Sequence, residues 1–239
     1  YGLRKDAVDV KVPKIIQKAV AGFSTEAVLN ALGNKLETLS DVITGGKIKG
    51  VVALASCSTL RNGPQDYNTV TLTKELIRRD ILVVSAGCGN HALEVAGLCN
   101  AAAAGMAGPG LKEICGALNI PPVLSFGTCT DTGRISMLVT ALADHLNADI
   151  PDLPIAVTAP EWMEQKATID GVFAVAYGAA THLSPVPFIT GAPQLVKLLT
   201  EDVENLTGGK VLLGDDPFDA AETICKVIGE KRKKLGLAP

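Results

Sequence analysis

Short apolar runs alternate with amphipathic segments from about residue 50 onward. Several runs are apolar throughout and lack the polar–apolar alternation of a strand with one solvated face. They are therefore predicted to be strands covered on both faces, as in a parallel sheet. The predicted strands are 51–55, 81–85, 123–126, 154–158, 172–176, 187–190 and 211–214.

The segments between these runs have the pattern of helices. One of them has apolar residues at the i, i+3, i+4, i+7, i+11 spacing of a buried helical face, namely Ile135, Leu138, Val139, Leu142 and Leu146. Three prolines stand where first-turn prolines are common, namely Pro160, Pro193 and Pro217. The alternation predicts an open α/β domain over 47–239, Rossmann-like and three-layered, with a mainly parallel sheet. The stretch 105–110, GMAGPG, is predicted to be a loop.

Residues 1–46 are predicted to form a short helical lead-in, with helical structure over 14–45. Ser24 is expected to cap a helix that starts at Thr25, and Gly33 to end it. A second apolar stripe, which stops at Gly45 and Gly46, predicts another helix. Its members are Leu36, Leu39, Val42 and Ile43.

Composition narrows the class of protein. The 239 residues are 47% hydrophobic and 20% charged, which is typical of a globular chain. The formal net charge of -3 gives no electrostatic footprint for nucleic acid. No apolar stretch reaches the roughly 18 residues of a membrane span, and no secretory leader is visible, so a cytoplasmic protein is expected. Because the chain starts with Tyr1, it is interpreted as a piece of something longer or as a processed product.

Three cysteines follow predicted strands: Cys57, Cys88 and Cys129. Ligands of open parallel sheets bind beyond the carboxyl ends of the strands, so neighbouring strands would bring these sulfurs into one crevice. Each cysteine is also expected just before a helix, whose dipole favours thiolate. Thiolates are the usual ligands of iron–sulfur clusters and soft metals. The pattern alone leaves open a shared metal site and ordinary buried cysteines.

The other cysteines and the histidines give weaker signals. Cys99, Cys115 and Cys225 fall in predicted helices and are expected to be small buried hydrophobic residues. His91 follows Cys88 at a spacing that zinc can use, but no second pair accompanies it. His182 is expected in a loop after a strand, facing either the crevice or solvent.

The segment 159–171, APEWMEQKATIDG, is the other informative stretch. It is predicted to follow a strand and to begin a helix at Pro160, with Glu161, Glu164 and Lys166 near that start. Charges at a helix start are usually solvated. A lysine facing the crevice could instead donate a proton or stabilise developing negative charge, and Glu164 could be an oxygen ligand.

At these residues the chain resembles the C-terminal part of the catalytic subunit of anaerobic nickel-iron carbon monoxide dehydrogenases, whose fold the hybrid cluster proteins share. The resemblance covers nearly the whole chain, and its most specific motifs are DYNTVTLTKELIRRDILVVSAGCGNHALEVAGL, PPVLSFGTCTDTGR and APEWMEQKA. It implies interconversion of carbon monoxide and carbon dioxide, with water, at a nickel-iron-sulfur cluster of the Ni-4Fe-4S type. Cys57 and Cys88 would bind its irons and Cys129 its nickel. Lys166 would be the catalytic residue that stabilises the carboxylate intermediate.

The resemblance also implies what lies elsewhere. Further cluster ligands and further 4Fe-4S clusters would belong to the rest of the catalytic subunit, so this chain alone is expected to be an incomplete, inactive fragment. It is expected to fold by itself but to bind the cluster poorly. A homodimer and a ferredoxin-like electron acceptor are implied as well.

Four features differ from the common pattern of that family, and one of them is a shorter segment between Cys88 and Cys129. The motif around Cys129 reads TCTDTGR, Asp170 stands where an aliphatic residue is usual, and Glu164 matches a cluster ligand of hybrid cluster proteins. One alternative is therefore a hybrid-cluster reductase acting on hydroxylamine or related nitrogen oxides. Another is a cluster-free assembly domain. Nickel would indicate the dehydrogenase, and an iron cluster with oxo bridges the reductase.

Overall fold

A parallel sheet forms the centre of the protein, in a computed structural model that describes residues 16, 18–31 and 36–237. Within this part of the chain the sheet has six strands in the order β3-β2-β1-β4-β5-β6, and every neighbouring pair is parallel. The strands are β1 (Gly50–Ser56), β2 (Ile81–Gly87), β3 (Val123–Gly127), β4 (Ile155–Ala159), β5 (Ala180–Leu183) and β6 (Lys210–Leu213).

Helices connect the strands. They are α1 (Thr25–Ala31), α2 (Leu36–Thr44), α3 (Tyr67–Arg78), α4 (Cys88–Val95), α5 (Pro109–Leu118), α6 (Thr132–Leu146), α7 (Gln165–Ala176), α8 (Pro193–Lys197), α9 (Val203–Thr207) and α10 (Pro217–Lys234). Short 3-10 helices span Ala101–Met106 and Ile150–Asp152, and a π-helical turn, Leu198–Asp202, joins α8 to α9. None of the described helices is both long and apolar enough to cross a membrane.

The central strand β1 explains why both faces of the sheet are covered. Its alternate residues Val51, Ala53 and Ala55 face a layer that contains α6 and α7. On the opposite face, Leu54 contacts the start of α4, and Ile228 of α10 lies against Gly50. Apolar side chains are thus buried on both sides, and the predicted three-layer α/β fold is confirmed.

Five of the seven predicted strands are confirmed, and two are wrong. Residues 172–176 lie in α7, where Val172 and Phe173 are exposed while Ala174 and Val175 are buried, as on two faces of a helix. Residues 187–190 lie in the segment between β5 and α8. The true strand β5 was not predicted, because half of its four residues are polar and owe their burial to hydrogen bonds rather than to apolarity.

The predicted helix starts are confirmed at two of the three prolines. Pro193 and Pro217 stand in the first turns of α8 and α10. Pro160 lies in the turn after β4, and the helix that follows begins only at Gln165. The predicted loop at 105–110 is also wrong in part, since it includes the end of one 3-10 helix and the start of α5 at Pro109.

The lead-in differs from its prediction at its beginning. The Ser24 hydroxyl accepts a hydrogen bond from the backbone N–H of Ala27 (3.1 Å), so the predicted cap of α1 is present. Residues 18–24 are not helical; instead Ala21 bridges Ser125 beside β3. The predicted helix end at Gly33 lies outside the described residues. Division of the chain at residue 46 stays a prediction.

A buried arginine ties the last helix to the lead-in. Arg232 of α10 is fully buried, and its Nη1 donates to the carbonyl oxygens of Ile43 (2.8 Å) and Lys49 (3.1 Å). Ile43 belongs to the last turn of α2, where unsatisfied carbonyls and the helix dipole favour a cation. Arg232 therefore fastens three separate segments at the amino end of β1.

Replacing this arginine should destabilise the fold. Arg232→Leu is expected to lower the free energy of unfolding by about 1.5–3 kcal/mol, because buried carbonyls lose a charged donor. The measurement is urea unfolding of the purified protein followed by circular dichroism. The matched control is Lys233→Leu, one residue along on the exposed side of α10, which should change stability by about 0.5 kcal/mol or less. Equal unfolding midpoints for the two variants would contradict the assignment.

Candidate metal centre

The register of the sheet brings the three predicted cysteines to one edge. Ser56, the last residue of β1, aligns with Gly87, the last residue of β2. Cys57 and Cys88 are the next residues on their strands, and Cys129 is the second residue after β3. Because β1, β2 and β3 are neighbours, all three cysteines leave the sheet at its carboxyl edge.

One cavity joins these cysteines to the charged residues after β4. Its volume is about 230 Å³, counting space open to solvent. It lies beside the position where the strand order reverses, between β1 and β4, which is where ligands of open α/β sheets bind. The structure therefore brings together all four predicted site residues; that they bind metal or act in catalysis stays a prediction. The residues lining the cavity are Ala55, Ser56, Cys57, Cys88, Cys129, Glu164, Lys166, Ala167 and Asp170.

A glycine allows this close approach. Gly87 has a φ of +85°, which disfavours residues with a side chain. A Cβ atom there would lie 2.9 Å from the carbonyl oxygen of Ser56 and 3.4 Å from the Cβ of Cys129. Glycine at this position thus lets the ends of β1, β2 and β3 converge.

The cavity does not favour the thiolate form of Cys88. Its pKa is raised by burial and by the nearby Cys57, Cys129 and Glu164, and only Lys166 acts to lower it. Cys88 does begin α4, as predicted, but its pKa is raised rather than lowered there. The expectation of a helix directly after Cys57 is wrong, since α3 starts ten residues later, at Tyr67.

Lys166 and Glu164 form an ion pair at the rim. Glu164 is the N-cap residue of α7, and Lys166 lies in its first turn. The Lys166 ammonium donates to Glu164 Oε1 (3.2 Å), and both side chains are about half exposed. The hydrogen bond to Glu164 and its charge, with Cys129 adding a smaller effect, raise the pKa of Lys166. The lysine is therefore held in its charged form.

Asp170 separates this cavity from a second, apolar one. Its Oδ1 accepts from the Thr132 hydroxyl (3.2 Å), while its Oδ2 is buried without a partner among the described residues. Burial raises the pKa of this carboxyl. The second cavity has a volume of about 630 Å³, counting space open to solvent. It lies between the sheet and helices α6 and α7 and also reaches Asp170.

The donor set fits a multi-metal cluster better than a single ion. Within the described part of the chain, no three His, Cys, Asp or Glu side chains are close enough to hold one metal ion. A single zinc ion needs four ligands at about 2.0–2.3 Å from one point. A cubane instead takes thiolates on separate irons, which suits one cysteine at each of three strand ends. Asp170 also lines this cavity and has one buried carboxylate oxygen without a partner among the described residues.

Sequence reasoning missed the role of Glu161. This residue is 1% exposed rather than solvated. Its carboxylate accepts from the Thr69 hydroxyl (2.5 Å) and from the backbone N–H groups of Asn68 and Thr69, so it caps α3 from 92 residues away. Its own N–H donates to the Ser56 hydroxyl (3.1 Å), next to Cys57. No local sequence signal announces a cap supplied from so far along the chain.

The histidines lie away from the cavity. His182 is in β5 and buried, so its predicted loop position is wrong. Its Nε2 lies 2.8 Å from the Gly214 carbonyl oxygen and must donate, so its Nδ1 accepts from the Thr158 hydroxyl (2.8 Å). Burial lowers its pKa, and the ring is neutral. The exposed His91 lies beside Glu94 and does not line the cavity.

The remaining cysteines behave as hydrophobic residues. Cys99 and Cys115 are buried, and Cys225 is partly buried. Burial raises their pKa to about 12, about 11 and about 11. Cys115 and Cys225 lie in helices as predicted, whereas Cys99 lies in the turn after α4.

Comparisons with known proteins give consistent results. Residues 2–218 match the model of the Prismane/CO dehydrogenase family. The carbon monoxide dehydrogenase of Archaeoglobus fulgidus is 63% identical over 234 residues, which are 98% of this chain and 37% of that protein. The chain therefore spans little more than a third of the length of this relative.

Solved structures agree in fold. A nickel-free carbon monoxide dehydrogenase from Thermococcus sp. AM4 is 51% identical with a TM-score of 0.90, over 92% of this chain and 35% of that one. Carbon monoxide dehydrogenase IV from Carboxydothermus hydrogenoformans is 42% identical with a TM-score of 0.92, over 95% and 38% of the two chains.

The charges around Cys88 predict opposite effects of two substitutions on the metal-free protein. Glu164→Gln should lower the pKa of Cys88 and speed its alkylation by iodoacetamide at a fixed pH below that pKa, because the thiolate is the nucleophile. Lys166→Gln should slow it. Peptide mass spectrometry against time gives the rates, with Glu222→Gln on exposed α10 surface as the control. Shifts in the same direction for both variants would show that the cavity charges do not act on this thiol.

Proposed function

The chain belongs to the Prismane/CO dehydrogenase family, and on that premise we propose that it is the cysteine-bearing α/β part of a nickel-iron carbon monoxide dehydrogenase. The reaction is CO plus water to carbon dioxide, two protons and two electrons. The observation that carries the proposal is the single cavity in which Cys57, Cys88 and Cys129 meet Lys166. The 63% identity to a relative named carbon monoxide dehydrogenase supports the choice of reaction.

Each cysteine has a defined part in this proposal. Cys57 and Cys88 would hold irons of a Ni-4Fe-4S cluster, and Cys129 would hold its nickel. When bound, the cluster supplies the redox centre and the Lewis acidity that activate carbon monoxide and water. Because burial and its neighbours raise the pKa of Cys88, loading a metal onto this thiol must release a proton.

Lys166 would act on the oxygen of the substrate. Its ammonium lines the same cavity as the cysteines and is kept charged by Glu164. Negative charge builds on oxygen when water adds to the carbon of carbon monoxide. A donor fixed beside that oxygen stabilises the transition state more than the ground state. Glu164 would serve mainly to position this donor.

The hybrid-cluster reductase is the second candidate, because Glu164 lines the cavity and could ligate a cluster. Against it, Glu164 already has a partner in Lys166, and the relatives compared above are named as dehydrogenases. Metal analysis of the full-length protein, purified without oxygen, separates the candidates. Nickel supports the dehydrogenase, iron alone supports the reductase, and neither metal supports a cluster-free domain.

The residues that complete the site would lie in the rest of the longer protein. The chain covers 37% of its Archaeoglobus relative, so the remaining cluster ligands and the further 4Fe-4S clusters would come from the rest of the catalytic subunit. A homodimer, a ferredoxin-like electron acceptor and a cytoplasmic location complete the proposal.

Substitution at the rim tests the assignment. In the full-length protein, Lys166→Ala should lower the turnover of carbon monoxide oxidation by about 10²–10³, since it removes one charge-stabilising donor. Nickel and iron content should stay unchanged, because Lys166 binds no metal. Glu164→Gln should have little effect on either, since the amide oxygen still accepts from Lys166. Loss of metal in Glu164→Gln together with near-normal oxidation by Lys166→Ala would replace the dehydrogenase by the hybrid-cluster alternative.

A further inference from the structure

A polar cavity lies at the edge of the sheet opposite to the cysteines. Its volume is about 860 Å³, counting space open to solvent. It adjoins the first residues of β5 and β6, Ala180 and Lys210, whereas the cysteines follow the last residues of their strands. The cavity is thus distinct from the candidate metal centre. Its charged residues are Asp152, Glu204, Lys210, Glu230, Lys231 and Lys234.

Of the three lysines in this cavity, Lys210 and Lys234 form ion pairs, whereas Lys231 has a different partner. Lys234 lies 2.5 Å from Asp152, and Lys210 lies 3.6 Å from Glu204. Lys231 instead donates to the backbone carbonyl oxygen of Ile155 (3.2 Å), and no carboxylate of the described residues lies within ion-pair distance of it. A carbonyl accepts a hydrogen bond but does not neutralise an ammonium.

The surroundings of Lys231 therefore favour a neutral amine. Burial, with a smaller contribution from Lys234, outweighs the attraction of Asp152 and Glu204 and lowers the pKa of Lys231 to about 8. This value is close to that of a chain's α-amino group, about 7.7–8.0. Near neutral pH the neutral fraction is then roughly a hundred times that of an ordinary lysine. A neutral amine in contact with solvent is a nucleophile.

We propose that Lys231 binds carbon dioxide covalently, as a carbamate, in this polar cavity. The nitrogen lone pair of the amine attacks the carbon of carbon dioxide, and a new N–C bond forms. One C=O bonding pair moves onto oxygen, and one amine proton passes to solvent. An amine and carbon dioxide thus give a carbamate anion and a proton, and neither an oxidant nor a reductant is required.

The cavity suits the product as well as the reactant. The carbamate nitrogen keeps one hydrogen, which can continue to donate to the Ile155 carbonyl. The new negative oxygens lie in the cavity that holds the ammonium groups of Lys210 and Lys234. Both ammonium groups are already paired, with Glu204 and Asp152, so they exert little attraction on a permanent anion such as phosphate. Carbon dioxide is neutral, so it can enter the cavity without such an attraction, and charge appears only after the N–C bond has formed.

The inference does not rest on the proposed function. It uses no cysteine and no metal, so carbamate formation can fail while the dehydrogenase is correct, and the reverse. Carbon dioxide would, however, be the product of the proposed reaction. One edge of the sheet would then form this molecule and the opposite edge would bind it.

The neutral amine has a test of its own in the pH dependence of stability. Below pH 8 Lys231 is charged in both folded and unfolded chains, and the full cost of burying the charge is present. Between about pH 8 and 10.5 only the unfolded chain retains the proton, so the stability of the wild type relative to Lys231→Met should rise with pH. The difference in Tm between the two proteins, measured from pH 7 to 11, checks this. A constant difference would mean that Lys231 stays charged, and the proposal would fail.

Chemical trapping tests the carbamate directly. The full-length protein is equilibrated with ¹³C-labelled carbon dioxide near pH 8 and treated with triethyloxonium, which converts a carbamate into a stable ethyl ester. Peptide mass spectrometry should find the labelled ester at Lys231, at roughly a hundred times the level on exposed Lys226 of the same helix. Lys231→Arg should abolish it, while Lys210→Gln and Lys234→Gln should lower it about two- to fivefold, as for exposed charge pairs. Equal labelling of Lys226 and Lys231, no label at Lys231, or a yield independent of carbon dioxide would each overturn the proposal.

Discussion

Parallel pairing is the constraint on which the rest of this molecule depends. Strands that run the same way must all end at the same edge of the sheet, however far apart they are in sequence. Cys57, Cys88 and Cys129, separated by more than thirty residues each, thereby meet in one cavity. The reversal of strand order between β1 and β4 then opens a gap beside them, which the segment carrying Lys166 fills. The direction and order of the strands are therefore sufficient to bring these residues together, independently of the contacts that their side chains make.

Buried polar groups hold that edge in place. Glu161 joins the exit of β4 to the last residue of β1 and to the start of α3. His182 ties β5 to β4 through Thr158 and to the segment after β6 through Gly214. Because such groups are costly to bury without partners, each hydrogen bond makes alternative positions of the strand ends unfavourable. Gly87 completes the arrangement by letting backbones approach where a Cβ would collide.

The sequence was informative where local pattern and burial agree. The fully apolar runs of β1, β2 and β3 and the 3.6-residue period of α6 were readable, and the cysteines could be assigned to strand ends without knowing the strand order. Prediction failed where tertiary contacts determine the secondary structure of a segment. Residues 172–176 have the composition of a strand, but together with the preceding residues they form helix α7. Strand β5 is buried through hydrogen bonds that the local sequence does not indicate. The Lys231 cavity depends on a contact between β4 and α10, whose contacting residues are 76 positions apart in the sequence, and no motif indicates this contact.

Arg232 has a consequence for how the protein is made. Its guanidinium closes the amino end of β1 by binding carbonyls more than 180 residues earlier in the chain. A ribosome completes β1, β2 and β3 before it synthesises α10, so the first residues of β1 lack the cover of α10 during that interval. Closing so long a loop carries an entropic cost that is recovered only after α10 has been synthesised. Until α10 docks, the nascent chain therefore leaves the carbonyl groups of Ile43 and Lys49 without this donor.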